Sequence, residues 1–160
     1  MIYSKQKAKS YIFYLLSIKS RTKKEIIDKL KRKEYNIDII NEAIKEVEEL
    51  DYINDKKYAL DFASDSLNFK KYGKNLVKRK LFLKGIDKNT IDETIEKVFG
   101  KVNEFDMAYD LAKRKLRSYG KKDNKTLARR LQGFLIRRGY SFDAAIKTIK
   151  KIFKELEVNE

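Results

Sequence analysis

The chain has no cysteine, no histidine and no proline among its 160 residues. Without cysteine and histidine it can form no disulfide, no zinc–thiolate site, no cysteine nucleophile and no histidine base, which excludes the common catalytic triads and most transition-metal sites. No other constellation of catalytic residues is visible. We therefore expect no cofactor, no metal site and no enzymatic activity. The absence of proline suits a chain built mostly of helices, because proline removes a backbone donor and breaks helices.

A long apolar run is also missing near the N-terminus. The apolar segment 11–18 follows three lysines, as in a signal peptide, but it is short and is followed by Lys19 and Arg21. It has no small-residue cleavage site and is too short to span a bilayer. We interpret it as a core-facing helix of a cytoplasmic protein.

The charge balance is strongly positive. There are 39 Lys and Arg residues against 24 Asp and Glu, a formal net charge of +15. This excess is larger than solubility requires and favours a polyanionic partner, either nucleic acid or a nucleoprotein surface. An anionic membrane is the competing interpretation.

Apolar residues recur at the i, i+3, i+4 spacing of amphipathic helices along the whole chain. Polar residues at the predicted starts are typical of caps, and Thr22 with Glu25 forms a capping-box signature. Asn36 or Asp38, Asp87 and Ser141 are predicted to cap later helices. The predicted helices are 5–18, 22–33, 36–50, 55–68, 73–84, 87–99, one from about 103 to 116, 125–138 and 141–156.

These helices repeat in groups of three. Leu30, Leu81 and Leu135 are separated by 51 and 54 residues, and so are Tyr35, Ile86 and Tyr140; Ile40, Ile91 and Ala145; and Ile44, Ile95 and Ile149. Ala8 and Ala59 are again 51 apart, but Ala59 and Ala108 are only 49 apart, which places a five-residue insertion in the loop around Gly120. We predict an all-α fold of three tandem three-helix repeats, 1–54, 55–102 and 103–160, in an elongated array.

Positive charge follows the repeat. The second helices carry six positive and two negative residues over 22–33, five and none over 73–84, and five and none over 125–138. The positive charges of a single basic helix usually lie on a solvated face. Basic helices at the same position in all three repeats favour a binding function instead. The predicted binding residues are Lys74, Lys78, Arg79, Lys80, Lys84, Lys125, Arg129, Arg130, Arg137 and Arg138. Arginine pairs suit phosphate or carboxylate contacts, and pairing with acids of a neighbouring helix is the structural alternative.

Three tyrosines flank basic residues and could stack on bases. Tyr140 aligns with Ile86, so we predict a core position for it, whereas Tyr72 and Tyr119 stay undecided. Asp61 and Asp65 are spaced as i, i+4 and could share Mg²⁺, but two carboxylates are a weak metal signal, and we interpret them as surface residues. The helix pair 22–33 and 36–50 could mimic a helix-turn-helix, but the second helix is acidic and would repel phosphate.

Three motifs carry a resemblance to a known family. They are Asp51-Tyr52-Ile53-Asn54-Asp55 followed by Tyr58-Ala59; Gly73-x-x-Leu76-x-x-x-x-Leu81-x-x-Lys84-Gly85-Ile86; and Leu131-x-x-Phe134-Leu135-x-Arg137-Arg138-Gly139-Tyr140-Ser141. In this order, within three repeats, the sequence resembles the bacterial RecX regulatory proteins. It departs from the family pattern at Ile53, where leucine is common, and at Glu34, which replaces the glycine that closes the later second helices.

The resemblance implies a cytoplasmic, non-enzymatic and monomeric modulator of the RecA recombinase. Such a protein would bind the groove of the RecA–DNA filament and mostly inhibit recombination, ATP hydrolysis and co-protease activity. Its partners would be the RecA filament and, weakly, single- and double-stranded DNA, with no membrane. The alternative is a DNA-binding helical module without sequence preference and without a recombinase partner.

Overall fold

The computed structural model describes residues 4–158, and this part of the chain is all-α. Its helices, in chain order, are α1 (Lys5–Ile18), α2 (Lys23–Arg32), α3 (Ile37–Glu49), α4 (Asp55–Asp65), α5 (Lys74–Leu83), α6 (Lys88–Phe99), α7 (Glu104–Leu116), α8 (Asn124–Arg137) and α9 (Phe142–Val158). Helix α4 continues into a π-helical turn over Ser66–Lys70, so the fourth helical segment extends two residues beyond its predicted end. Within residues 4–158 no helix is long and apolar enough to cross a membrane.

The predicted caps set the helix starts. The Thr22 hydroxyl accepts from the Glu25 amide at 3.2 Å, and the Glu25 carboxylate accepts from the Thr22 amide at 3.1 Å, which confirms the capping box. Asp87 accepts from the Thr90 amide at 2.9 Å, and Ser141 from the Ala144 amide at 3.1 Å. Each cap satisfies an amide that the helix itself leaves unpaired. Asp123, which the sequence did not single out, caps α8 in the same way.

The repeat register is confirmed by burial. Leu30, Leu81 and Leu135, equivalent positions in the three second helices, are all fully buried. Helices α1, α2 and α3 pack around one apolar cluster that includes Ile12, Leu30 and Ile44. Helices α7, α8 and α9 pack around another that includes Leu135 and Ile152. Equivalent apolar positions therefore build equivalent cores.

The chain divides into two compact units whose borders cut across the middle helices. The first unit comprises the described residues up to Phe62 together with Leu81–Thr94. The second comprises Ala63–Lys80 together with the described residues from Ile95 onward. Each unit contains one joint at which the start of one second helix meets the end of the next.

The first joint lies in the first unit and connects α2 to the end of α5. The Thr22 hydroxyl donates to the Lys84 carbonyl at 2.7 Å. A Cβ on Gly85 would lie 2.4 Å from the Lys24 side chain, and the φ of Gly85 is +84°. Glycine is required here because it alone takes this backbone conformation without strain and leaves space for the neighbouring helix.

The second joint lies in the second unit and connects α5 to the end of α8. The Gly73 amide donates to the Arg138 carbonyl at 2.8 Å, and the Asn75 amide to the Gly139 carbonyl at 3.1 Å. A Cβ on Gly139, whose φ is +95°, would lie 2.4 Å from Leu76 Cβ. Gly73 and Gly139 are offset from Thr22 and Gly85 by 51 and 54 residues, the repeat separations. The joint is therefore part of the repeat.

The structure explains two residues, Leu83 and Glu34, whose surroundings the sequence pattern does not show. Leu83, an apolar residue in the last turn of α5, is 66% exposed, because the buried side of the helix centres on Val77 and Leu81 and does not include it. Glu34 has the left-handed conformation of the glycines at equivalent turns, with φ of 61°. It is solvent-exposed, so its side chain has the room that Gly85 and Gly139 lack.

Candidate functional site

Nine of the ten predicted binding residues lie in the second compact unit, and Lys84 alone lies in the first. The exposed ones are Lys74, Lys78, Arg79, Lys125, Arg129, Arg130 and Arg137. Lys80, Lys84 and Arg138 are partly buried. The predicted cations therefore divide into seven that are exposed and three that are partly buried against packing partners.

Lys84 has such partners in the first joint. Its ammonium donates to the Glu25 carboxylate at 3.0 Å and lies 5.6 Å from the Tyr58 ring centroid and 5.8 Å from that of Phe62. Burial raises the pKa of Glu25, but the hydrogen bonds from Lys84 and Thr22 together outweigh it and leave the pKa below its ordinary value. Both groups thus stay charged, and Lys84 helps to hold α2 against the end of α5.

Helix α5 presents three exposed cations. Lys74 and Lys78 are spaced as i, i+4 and so lie on one side of the helix, with Arg79 beside them. Within the described part of the chain none of the three forms a salt bridge. Their charge is available to an external anion.

Tyr72 links the cations of α5 to those of α8. The Lys80 ammonium lies 5.7 Å from its ring centroid, and the Arg138 guanidinium lies 4.8 Å from it. Arg138 also donates through Nη2 to the Lys70 carbonyl. Cation–π contacts restrain long side chains without neutralising their charge. Tyr72 therefore positions two cations from different helices.

The same alternation continues into α7 and α8. The Arg138 guanidinium lies 5.9 Å from the ring centroid of Phe134 on α8. The ammonium of Lys115, on α7, lies 5.3 Å from the same centroid. Lys115 is also 5.4 Å from the Tyr119 ring centroid, and Arg130 is 6.0 Å from it. We call this set the basic–aromatic row: Lys80, Tyr72, Arg138, Phe134, Lys115, Tyr119 and Arg130. All seven belong to the second compact unit.

One end of the row contributes to the lining of an open hollow of about 470 Å³. Its lining consists of Lys115, Tyr119, Arg129, Arg130, Phe134 and Arg137, four cations and two rings without a carboxylate. None of these cations forms a salt bridge to a described acid. Throughout residues 4–158, therefore, the structural alternative of acidic partners for Arg129, Arg130 and Arg137 is not observed.

Gly133 makes room for one of these arginines. It lies in the interior of α8, where glycine costs roughly 1 kcal/mol relative to alanine. A Cβ at this position would come within 3.0 Å of the Arg137 guanidinium. Arg137 can therefore lie along the helix surface at the edge of the hollow.

The sequence did not predict two parts of this site. Lys115 and Phe134 were overlooked because Lys115 belongs to a first helix and Phe134 looks like a core residue of α8. Lys113, Arg114 and Lys115 occupy the last turn of α7, where positive charge also stabilises the helix dipole. A second hollow of about 560 Å³ opens beside this turn and is lined by Lys71, Tyr109, Asp110, Lys113, Arg114 and Arg117.

The three tyrosines have different roles. Tyr140 is only 2% exposed, which confirms the core prediction. Its hydroxyl donates to the Lys71 carbonyl at 2.7 Å, and burial raises its pKa to about 12. Tyr72 and Tyr119 are partly exposed and belong to the row. Asp61 and Asp65 lie on the surface, as predicted.

Comparison with known proteins identifies each repeat separately. A model of the first three-helix domain of RecX matches residues 8–46, the second matches 54–95 and the third matches 102–149. The three domain types therefore occur once each, in order, along this chain.

Curated relatives and a solved structure agree with these matches. The regulatory protein RecX of Finegoldia magna is 37% identical over 131 residues, 81% of this chain and 64% of that protein. The regulatory protein RecX of Clostridium acetobutylicum is 32% identical over 157 residues, 96% of this chain and 71% of that protein. The chain spans less than two thirds of the length of several of these relatives, the Finegoldia magna protein among them.

The crystal structure of RecX from Lactobacillus salivarius superposes with a TM-score of 0.78 at 27% identity, covering 92% of this chain and 95% of that one. The fold, the order of the domains and the sequence identity thus lead to one assignment. The chain belongs to the RecX family of regulatory proteins.

Proposed function

We propose that this protein regulates the RecA recombinase by binding the groove of the RecA–DNA filament. In this proposal it acts as a cytoplasmic monomer, without chemistry of its own, and mostly inhibits strand exchange, ATP hydrolysis and co-protease activity. The observation that supports it best is that a member of the RecX family carries exposed cations with no acidic partner among the described residues.

The arrangement of charge fits a filament ligand. A recombinase–DNA filament is a repeating polyanion with protein walls, and a protein with several separate basic positions can bind it at several points. Each contact is weak alone, but once the first has formed the others become intramolecular and raise the overall affinity. The exposed side of α5 and the basic–aromatic row would provide two such positions.

The direct test titrates this protein into the cognate RecA during DNA-dependent ATP hydrolysis and strand exchange. We expect both rates to fall as the protein approaches stoichiometry with the filament. Unchanged rates at stoichiometric excess would disprove regulation.

A second binding measurement separates regulation from simple DNA binding. A filament regulator should bind the RecA–DNA complex more tightly than either RecA or DNA alone. A DNA-binding module without a recombinase partner should bind naked DNA as tightly as the filament, with a steep dependence on salt.

A further inference from the structure

The third repeat contains a feature that the fold does not require. The loop between α7 and α8 carries the five-residue insertion predicted from the repeat spacing. Tyr119 lies in this loop, and its ring contacts Lys115 and Arg130. This loop therefore contributes one aromatic ring to the lining of the hollow, beside Lys115, Arg129, Arg130 and Arg137.

We infer that this hollow binds one nucleotide of a single-stranded nucleic acid, with the neighbouring phosphates on the arginines that line it. The unstacked base would lie against Tyr119 and Phe134. The adjacent phosphates would lie on Arg129, Arg130 and Arg137. This inference rests on the proposed function, because a regulator of a recombinase–DNA filament meets DNA at its binding site.

The chemistry of the row matches that of a single strand. Each nucleotide offers one phosphate and one flat aromatic base, and the row alternates cations with rings from Lys80 to Arg130. Proteins that bind single strands without sequence preference combine a positive groove with aromatic side chains in this way. An acidic peptide would offer charge but no regular aromatic partner.

The shape of the site distinguishes a single strand from a duplex. The hollow is an open concavity, and its lining includes one ring from the loop between α7 and α8, Tyr119, and one from α8, Phe134. In a duplex the bases are stacked and paired, so that a ring in a hollow can reach only the backbone. A single strand can turn a base outward, and its base can also stack on a guanidinium plane such as that of Arg137.

The test measures binding of naked nucleic acid to the purified full chain, without recombinase. Fluorescence anisotropy is recorded with a short oligothymidylate, with an abasic strand of equal length and with a duplex. The first variant is Arg129→Gln/Arg130→Gln/Arg137→Gln. Its matched control is Lys56→Gln/Lys57→Gln/Lys88→Gln, which removes the same charge from exposed positions of the first compact unit.

We expect the arginine variant to bind oligothymidylate at least about tenfold more weakly, and the control to remain within about twofold of the unmodified chain. The salt dependence should also weaken in the arginine variant, by about 2 in the slope of log K against log salt, since each phosphate contact on a single strand contributes about 0.7. An equal loss in both variants would mean that total charge alone drives binding, and would overturn the inference.

Tyr119 tests the contact with the base. Tyr119→Leu should weaken oligothymidylate binding by about 5- to 140-fold, the range of a lost base–aromatic stack. It should leave the abasic strand and the duplex unchanged, and Tyr119→Phe should bind like the unmodified chain. The inference is wrong if Tyr119→Leu weakens all three ligands equally, or if polyglutamate displaces the strand as well as unlabelled oligothymidylate does.

The two proposals fail separately. If the chain slows ATP hydrolysis by the recombinase but does not distinguish these strands, only the single-strand site is excluded. If the strands bind as expected but the recombinase is unaffected, the regulatory function is excluded and the site remains.

Discussion

Two glycines of this chain share a positive φ but differ in what surrounds them. Gly139 and Gly120 both have positive φ, +95° and +65°. A Cβ on Gly139 would meet Leu76 at 2.4 Å, whereas one on Gly120 would meet nothing within 4 Å. Comparing alanine substitutions at these two glycines therefore distinguishes the cost of backbone strain from the cost of lost packing space.

We predict that Gly139→Ala lowers the free energy of unfolding by about 2–5 kcal/mol. Of this, about 1–2 kcal/mol comes from the left-handed backbone and about 1–3 kcal/mol from overpacking against α5. Gly120→Ala should cost only the backbone part. Urea denaturation of both variants checks this, and equal losses would show that the second joint is not tightly packed.

Thr22 connects local helix capping to a long-range contact. Its hydroxyl accepts from the Glu25 amide and donates to the Lys84 carbonyl, and the side chain is fully buried. Each bond pairs a group that burial would otherwise leave unsatisfied.

Thr22→Val, which keeps the shape and removes the hydroxyl, should cost about 2–4 kcal/mol of unfolding free energy. The lost cap accounts for about 1 kcal/mol and the unpaired carbonyl and amide for about 1–3 kcal/mol. Thr22→Ser keeps both bonds and should cost about 1 kcal/mol, the value of one buried methyl group. If thermal melting shows the serine variant to be the weaker one, the methyl packing matters more than the hydrogen bonds.

At the scale of the helices, ion pairs add to the apolar packing of the first repeat. Lys5 and Lys9 on α1 donate to Glu46 on α3 at 2.7 and 2.6 Å. Hydrogen bonds from these two ammonium groups lower the pKa of Glu46 from 4.5 to about 2. Because the pKa is lower in the folded state, Glu46 stabilises the fold above about pH 4.5, and this contribution is lost as the pH falls toward 2.

We therefore predict a pH-dependent difference between the unmodified chain and Glu46→Gln. The melting temperature of the unmodified chain should exceed that of the variant at pH 6, and the two should converge between about pH 4.5 and 2. High salt should reduce the difference at pH 6, because the carboxylate is partly exposed and screened. A difference that stays constant down to pH 2 would show that Glu46 acts through packing instead.

At the scale of the whole molecule, the positions of the cations matter more than their number. Net charge alone would attract the chain to any polyanion. The structure assigns Lys84 to a joint, places Lys74, Lys78 and Arg79 on the exposed side of α5, and gathers others around Tyr72, Phe134 and Tyr119. Cations with equal formal charge therefore have unequal freedom to bind a partner.

We expect Lys74→Gln/Lys78→Gln/Arg79→Gln to raise the concentration of protein that half-inhibits ATP hydrolysis by the recombinase, by about tenfold. Each lost phosphate or carboxylate contact weakens a multipoint interaction. Lys56→Gln/Lys57→Gln/Lys88→Gln, with the same net charge, should change it less than about twofold. Circular dichroism should show unchanged helical content in both. If the two variants respond alike, α5 does not face the filament.

Much of the fold and part of the site could be predicted from the sequence. The apolar spacing is a local signal and the repeat register is a regular one, and the core residues at Leu30, Leu81 and Leu135 follow from the two together. The exposed arginines of α8 were predicted because positive charge recurs in the second helix of each repeat. Lys115 could not be found in this way, because its partners Tyr119 and Phe134 come from a loop and another helix.

The sequence alone determined that this is an all-α repeat protein. Helix periodicity and caps depend only on residues close in the chain, and the spacings of 51 and 54 residues can be counted along it without knowing any contact. Its excess of positive charge also predicts a polyanionic partner. Only the tertiary structure decided which cations are held in joints and which remain exposed. That depends on contacts across more than fifty residues, such as Lys84 with Glu25 and Arg138 with Tyr72, and no local pattern encodes them.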